Sequence, residues 1–274
     1  MARKVENKII ICGNKIEYYD YQFGYWVGFS RKDFAKPEYD DNLTEEEIKK
    51  IKEKKKVNKK IIEKIGNKTL ENSDLVKQRK LKIKSDNKKK ADNRAKTKVR
   101  RLINANIGRY NEKDKFITLT VKENETDRQK MNDEFKKFMK RLKYNFKDRI
   151  IKYIAVIEKQ ERGSIHYHVI IFGLPYIKKS ALQEIWKHGF IQINAIDKFD
   201  DLGRYLVKYM TKDIKTEREE NQKRYLCSNK LIQPTIIENI DINELIENED
   251  LKIIFTHEFE SEYVGKVIYK YFDR

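Results

Sequence analysis

The chain has 274 residues, of which 62 are lysine or arginine and 44 are aspartate or glutamate, giving a formal net charge of +18. Such a surplus suits a polyanionic partner, with nucleic acid the first to consider, and argues against an acidic one. No run approaches the roughly eighteen apolar residues that span a bilayer, and Lys8 to Cys12 is too short for a signal-peptide core, so a cytoplasmic, soluble protein without a membrane partner is expected. Cys12 and Cys227 stand far apart and outside any Cys-x-x-Cys spacing, which indicates neither a disulfide framework nor a thiolate metal site.

In chain order, residues 1–48 read as a small aromatic-rich β element, with a Gly13-Asn14 turn between two strand-like runs. Segment 49–101 carries 23 basic and 6 acidic residues and no aromatic. It cannot bury enough surface to offset chain entropy as a compact unit. It reads as a basic helical or partly disordered arm, either a DNA-gripping arm or a solvated lysine-rich helix, and both give an attraction that weakens with salt.

From residue 102 the pattern becomes regular. Lys115 to Val121 alternates as a strand, and Thr126 to Tyr144 places Met131, Phe135, Phe138, Met139 and Leu142 on one helical face. Ile151 to Glu158 forms a second strand, Arg162-Gly163-Ser164 turns the chain, and Ile165 to Phe172 forms a third. A short helix at Ser180 to Lys187, a strand at Phe190 to Ile196 and a helix over 199–212 complete the unit. The order β-α-β-β-α-β followed by a helix predicts an α+β class. Its core is a ferredoxin-like, RRM-like split βαβ unit at 102–215 with a central antiparallel sheet. Residues 216–274 read as a C-terminal α/β extension packed on it. Within that extension, 235–250 looks like an acidic helix and 251–272 like a hairpin.

Two patterns carry chemistry. His166 and His168 point to the same side of a strand, because side chains two residues apart share a face. A hairpin with an odd number of loop residues sets Glu158 across from His168 and Gln160 across from His166; an even loop would present Lys159 and Glu161 instead. Two imidazoles and a carboxylate leave open positions for substrate oxygens, so His166, His168 and Glu158 are the expected metal ligands, with Gln160 as the alternative. Nitrogen and oxygen donors without thiolate suit Mn²⁺ or Mg²⁺, although zinc or nickel could take the site. Alone, a His-x-His is more often an ordinary pair on a sheet face. His188 and His257 lack such partners.

The second pattern is Tyr205, Lys208, Tyr209 and Lys212, spaced i, i+3, i+4, i+7 and therefore on one side of a helix. A tyrosine can attack a phosphodiester and hold the strand covalently. A phenol of ordinary pKa near 10 needs a base or a cation to do so. Lys208 and Lys212 could stabilise the phenolate or the developing phosphorane charge. The bland reading is the buried side of an amphipathic helix, which lysines within the stripe weaken because they are costly to bury.

His166-Tyr167-His168 with Tyr205-x-x-x-Tyr209-x-x-Lys212 resembles the HUH endonucleases, specifically the two-tyrosine rolling-circle replication initiators of small phages and plasmids. Phe116-Ile-Thr-Leu-Thr120 resembles their first motif, a strand lining the DNA cleft, and Leu102-Ile-Asn-Ala-Asn106 is also similar to bacterial members. The resemblance covers roughly residues 100–215. It implies a site-specific, metal-assisted nick in single-stranded origin DNA, a 5′-phosphotyrosine intermediate, a 3′-OH that primes a polymerase, and rejoining through the second tyrosine. Which tyrosine acts first stays open. No Walker A pattern occurs, so no nucleotide cofactor is expected and unwinding would fall to a host helicase. Alternatives are a two-tyrosine transposase of the same superfamily, or a non-catalytic RRM-like single-strand binder with stacking aromatics on its strands.

Overall fold

The computed structural model describes residues 2–28, 74–110, 113–160, 163–194, 196, 201–212, 223–249 and 251–274. Two compact units emerge, one of residues 1–4 with 26–93 and the other of 5–25 with 94–274. The part of the basic arm at 49–73 lies outside the described residues.

Helix α1 (Asp74–Asn106) runs through residue 101 without a break. Residues 78–91 are all exposed, as a helix without an apolar stripe must be. From Ala95 the stripe begins: Ala95, Val99, Leu102 and Ile103 pack into a core. The change from solvated to docked helix thus falls about two turns before residue 102, where the apolar period starts rather than where the charge run ends.

The central sheet of the larger unit joins β3 (Lys115–Leu119), β4 (Lys152–Lys159), β5 (Ile165–Phe172), β6 (Ile191–Asn194) and β7 (Tyr225–Cys227) in the order β6-β3-β5-β4-β7. The pairs β3/β5, β3/β6, β4/β5 and β4/β7 are all antiparallel. Leaving β7 aside, the order is that of a split βαβ pair. Helices α2 (Arg128–Asn145) and α3 (Lys179–Trp186) cover one face. Asp127 caps α2 by accepting from the backbone N–H groups of Gln129 and Lys130, at 2.8 and 3.0 Å. The five apolar residues expected on one face of α2 are its buried residues. They meet Ala155, Ile157, Tyr167, Val169 and Trp186 in the largest core. The other face takes the end of α1 and helix α4 (Leu202–Lys212), with Phe116, Ile154, Val156, Ile170, Phe172, Leu206 and Met210 buried between. Every residue of β5 is consequently buried.

A second sheet gathers both ends of the chain: β1 (Arg3–Cys12), β2 (Lys15–Val27), β8 (Thr235–Glu238), β9 (Lys252–Ser261) and β10 (Gly265–Asp273), ordered β8-β1-β2-β10-β9. Residues 235–238, expected at the start of a helix, instead pair with β1 as a strand, and helix α5 (Ile242–Glu249) follows. The hairpin expected over 251–272 is β9 and β10. Helix α5 packs on Ile9, Ile16, Tyr18 and Phe272 to close one face of this sheet.

Candidate active site

The β4/β5 hairpin turns through Gly163 at φ +91°, a backbone state that favours glycine. Gly163 N–H donates to the Gln160 carbonyl at 2.8 Å and Gln160 N–H to the Ser164 carbonyl at 2.9 Å. The register that results pairs Glu158 with His166 and Val156 with His168. This corrects the expected pairing of 158 with 168 and 160 with 166 by two residues, because the loop is tighter than a turn centred on Gly163 requires. A shift of two preserves the face where a shift of one would invert it. Glu158 therefore stays on the histidine side and meets His168 diagonally.

Glu158 and the two histidines are each less than a tenth exposed. His168 Nε2 lies 2.6 Å from Glu158 Oε2, and His168 Nδ1 lies 3.3 Å from Thr118 Oγ1. Both ring nitrogens are thereby engaged, which fixes the orientation of the imidazole. Gln160 Nε2 lies 3.2 Å from His166 Nδ1, so the residue weighed against Glu158 as a ligand contacts the other histidine.

Helix α4 reaches this cluster because Gly203 lets it approach α1. A Cβ there would stand 2.6 Å from Asn104 Oδ1 and 2.7 Å from the Arg100 carbonyl. At its start Asp201 accepts from Arg204 N–H at 2.7 Å, as an N-cap does. Further along, the Tyr209 ring stacks on His168 with centroids 3.5 Å apart and planes 18° from parallel. The Tyr205 ring stands edge-on to Phe116 at 5.6 Å, and the two tyrosine hydroxyls meet at 2.8 Å. Burial, then the Tyr205 hydroxyl and the Glu158 carboxylate, push the Tyr209 phenol well above its ordinary range. Lys208 is exposed, with Nζ 5.5 Å from the centre of the Tyr205 ring. Lys212 ends α4, and its side chain lies outside the described residues.

Among the described residues, no three histidine, cysteine, aspartate or glutamate side chains are drawn together as a ready metal group. Two imidazoles, a carboxylate and an amide are nonetheless hard or borderline donors suited in type to a divalent ion. The direct bond between His168 and Glu158 is one that such an ion would replace. His188 bonds Glu134 at 2.8 Å, outside this cluster.

Three participants were not singled out from the sequence. Thr118 and Phe116 reach the site because alternate residues of β3 face β5, and Gly203 matters through a side chain it lacks. Asn106, part of the Leu102–Asn106 run, is buried and serves the fold. Its amide bonds the Leu102 and Ile232 carbonyls, and its oxygen accepts from Ile232 N–H.

Fold and site together define an α+β protein in which a histidine pair, a carboxylate and two tyrosines converge on one sheet face. Residues 114–214, which run from β3 to the end of α4, match a family model of replication-associated proteins, the one described by its ORF2 members. No curated protein and no solved structure matches the chain. No helix among the described residues is long and apolar enough to cross a membrane.

Proposed function

We propose that the protein initiates rolling-circle replication as a two-tyrosine nuclease and strand transferase of the HUH type, nicking and rejoining single-stranded origin DNA in the cytoplasm. The observation that carries this reading is the meeting of the Tyr205 and Tyr209 hydroxyls at 2.8 Å, with the Tyr209 ring on His168, inside the stretch similar to a replication-associated family. A tyrosine oxygen attacks the phosphorus and the bond from phosphorus to the 3′ oxygen breaks. The phenolic proton ends on the departing 3′ oxygen. The 5′ phosphate stays on tyrosine, and the 3′-OH primes a polymerase. No phosphodiester energy is lost, so attack by a later 3′-OH rejoins the strand, while the second tyrosine can cut again from nearly the same point.

His166, His168 and Glu158, with Gln160 beside them, would hold Mn²⁺ or Mg²⁺. When bound, the ion supplies Lewis-acid polarisation of a phosphate oxygen. The chain's own residues do the rest. Thr118 and Glu158 orient His168, which in turn supports the flat face of Tyr209. Lys208, at the solvent side of Tyr205, is placed to meet an arriving phosphate, and Lys212 follows it by one turn. A host helicase would melt the origin.

Incubation with an origin oligonucleotide and Mn²⁺ should yield a protein–DNA adduct that survives a denaturing gel. The Tyr205→Phe/Tyr209→Phe variant should lose it by on the order of a thousandfold or more. Adduct that persists in the double variant would falsify the assignment.

A further inference from the structure

The second sheet has one face closed by α5; its opposite face is aromatic. Tyr19, Tyr21 and Tyr25 share that side of β2, and cross-strand pairing brings Tyr269 opposite Tyr19 and His257 opposite Tyr269. The rings form a continuous set. Tyr19 and Tyr21 are stacked at 6.3 Å, Tyr19 and Tyr269 lie 4.9 Å apart, and Phe255, His257 and Phe259 stack in a row at 6.0 and 5.9 Å. At one end the face is shielded by α1 through Glu17, Arg100 and Arg101. At the other it opens to solvent, with Phe255 52% and Phe259 42% exposed.

An aromatic surface of this extent on a chain of net charge +18 calls for a partner with flat apolar faces and negative charge. Cations frame it on one side. Lys8 Nζ sits 5.1 to 5.5 Å from the Tyr19, Tyr21 and Tyr25 ring centres. The end of α1 beside the face carries five basic and no acidic residues over 94–101. The acidic groups here are already engaged: Glu17 by the two arginines, and Glu238 as the residue paired with Lys8 on β1. Bases stacking on rings while cations follow the backbone is the general physics of single-strand binding. The central sheet cannot offer this platform, since β5 is buried along its whole length.

We propose that this open face of the second sheet is a single-stranded DNA surface distinct from the tyrosine site. Bases stack on Phe255, His257, Phe259 and Tyr269, while Lys8 and the basic end of α1 take phosphates. Only the choice of DNA over RNA rests on the nicking reading.

The test is the affinity of the full chain for a labelled oligothymidylate at fixed salt, by fluorescence anisotropy without divalent metal, so that cleavage does not enter. Phe255→Ser/Phe259→Ser should weaken binding on the order of ten- to a hundredfold, with little change in the slope of log affinity against log salt, which counts phosphate contacts. Phe255→Trp/Phe259→Trp should restore binding, and its tryptophan emission should be quenched by the oligonucleotide. Adduct formation on a short, saturating origin oligonucleotide should be unchanged in the serine variant. Absence of any adduct in the parent protein, together with the binding loss, would remove the nicking reading and leave this surface standing. Unchanged affinity in the serine variant, or unquenched emission in the tryptophan variant, overturns the proposal. So does a serine variant that falls from dimer to monomer by light scattering with its DNA affinity intact, because the face would then be occupied by a second copy.

Discussion

The two sheets are built from the same strand chemistry but treat their polar and aromatic residues in opposite ways. In the central sheet both faces are buried, and its ionisable groups are few and concentrated: Glu158, His166 and His168 are each less than a tenth exposed, surrounded by aliphatic side chains and tyrosine rings. In the second sheet one face remains partly wet and is populated by aromatics. Its deeply buried charge, Glu17, is met by two guanidinium groups at 2.7 and 2.6 Å. A buried charge that is fully paired stabilises a fold and does little else. A buried histidine–carboxylate pair under two tyrosines is costly to maintain without a further purpose. The contrast assigns chemistry to the first sheet and support to the buried end of the second.

Glu158→Gln is the sharpest way to break that contrast. Glutamine keeps the size and can still hydrogen-bond His168, so the fold should persist with a melting shift of a few degrees, while the anionic donor is gone. The rate of adduct formation in Mn²⁺ should fall about a hundredfold or more, in line with the loss of a metal ligand or its orienting partner. A rate near that of the parent protein, with a large drop in melting temperature, would make the cluster structural and erase the distinction between the sheets.

Glu17 should behave in the opposite sense. Its replacement by alanine leaves Arg100 and Arg101 without their shared anion and should cost about 3 kcal/mol by urea unfolding. Intrinsic adduct chemistry in the folded fraction should change little. The pH dependence has a definite sign. Burial alone would raise the Glu17 carboxyl, but the Arg101 hydrogen bonds and the charges of both arginines outweigh it and hold the group below its usual range. As pH falls below the ordinary carboxylate pKa of about 4.3, the unfolded chain takes up the proton first. The contribution is therefore present above that pH and lost as pH drops through the folded value. In Glu17→Gln the acid limb of the stability curve should flatten, and an unchanged limb would mean that other carboxylates dominate acid unfolding.

These residues also mark how far the sequence could be read. The histidine strand, the tyrosine helix and the five-residue apolar face of α2 were legible because side-chain period is a local property. Glu158 was legible as to face but not as to partner, since the face depends only on parity whereas the partner depends on the length of the turn. The pairing of the two chain ends into one sheet was hidden, because β2 and β10 lie at opposite ends of the sequence and no local pattern encodes such a pairing. Glu17 looked like one more charge on an aromatic strand. The arginines that bury it sit at the end of the basic arm, where two more cations attract no notice.

The smallest effect tests whether the two sheets communicate. Tyr271, on the second sheet, donates its hydroxyl to Asp201 Oδ2 at 2.7 Å, while Oδ1 of the same carboxylate caps the helix that carries Tyr205 and Tyr209. Tyr271→Phe removes one hydrogen bond and leaves the cap, at a cost of about 1 kcal/mol. Asp201→Ala removes both and should cost about 1 to 2 kcal/mol, the usual range for a lost N-cap with a buried partner left behind. If the second sheet helps hold the tyrosine helix in register, both variants should slow adduct formation several-fold at saturating oligonucleotide while leaving its affinity unchanged, with Asp201→Ala the slower. If the helix is set only by Gly203 against α1 and by its apolar face, the melting temperatures will move and the rates will not. The link from Tyr271 to Asp201 would then be an anchor between two sheets that work separately.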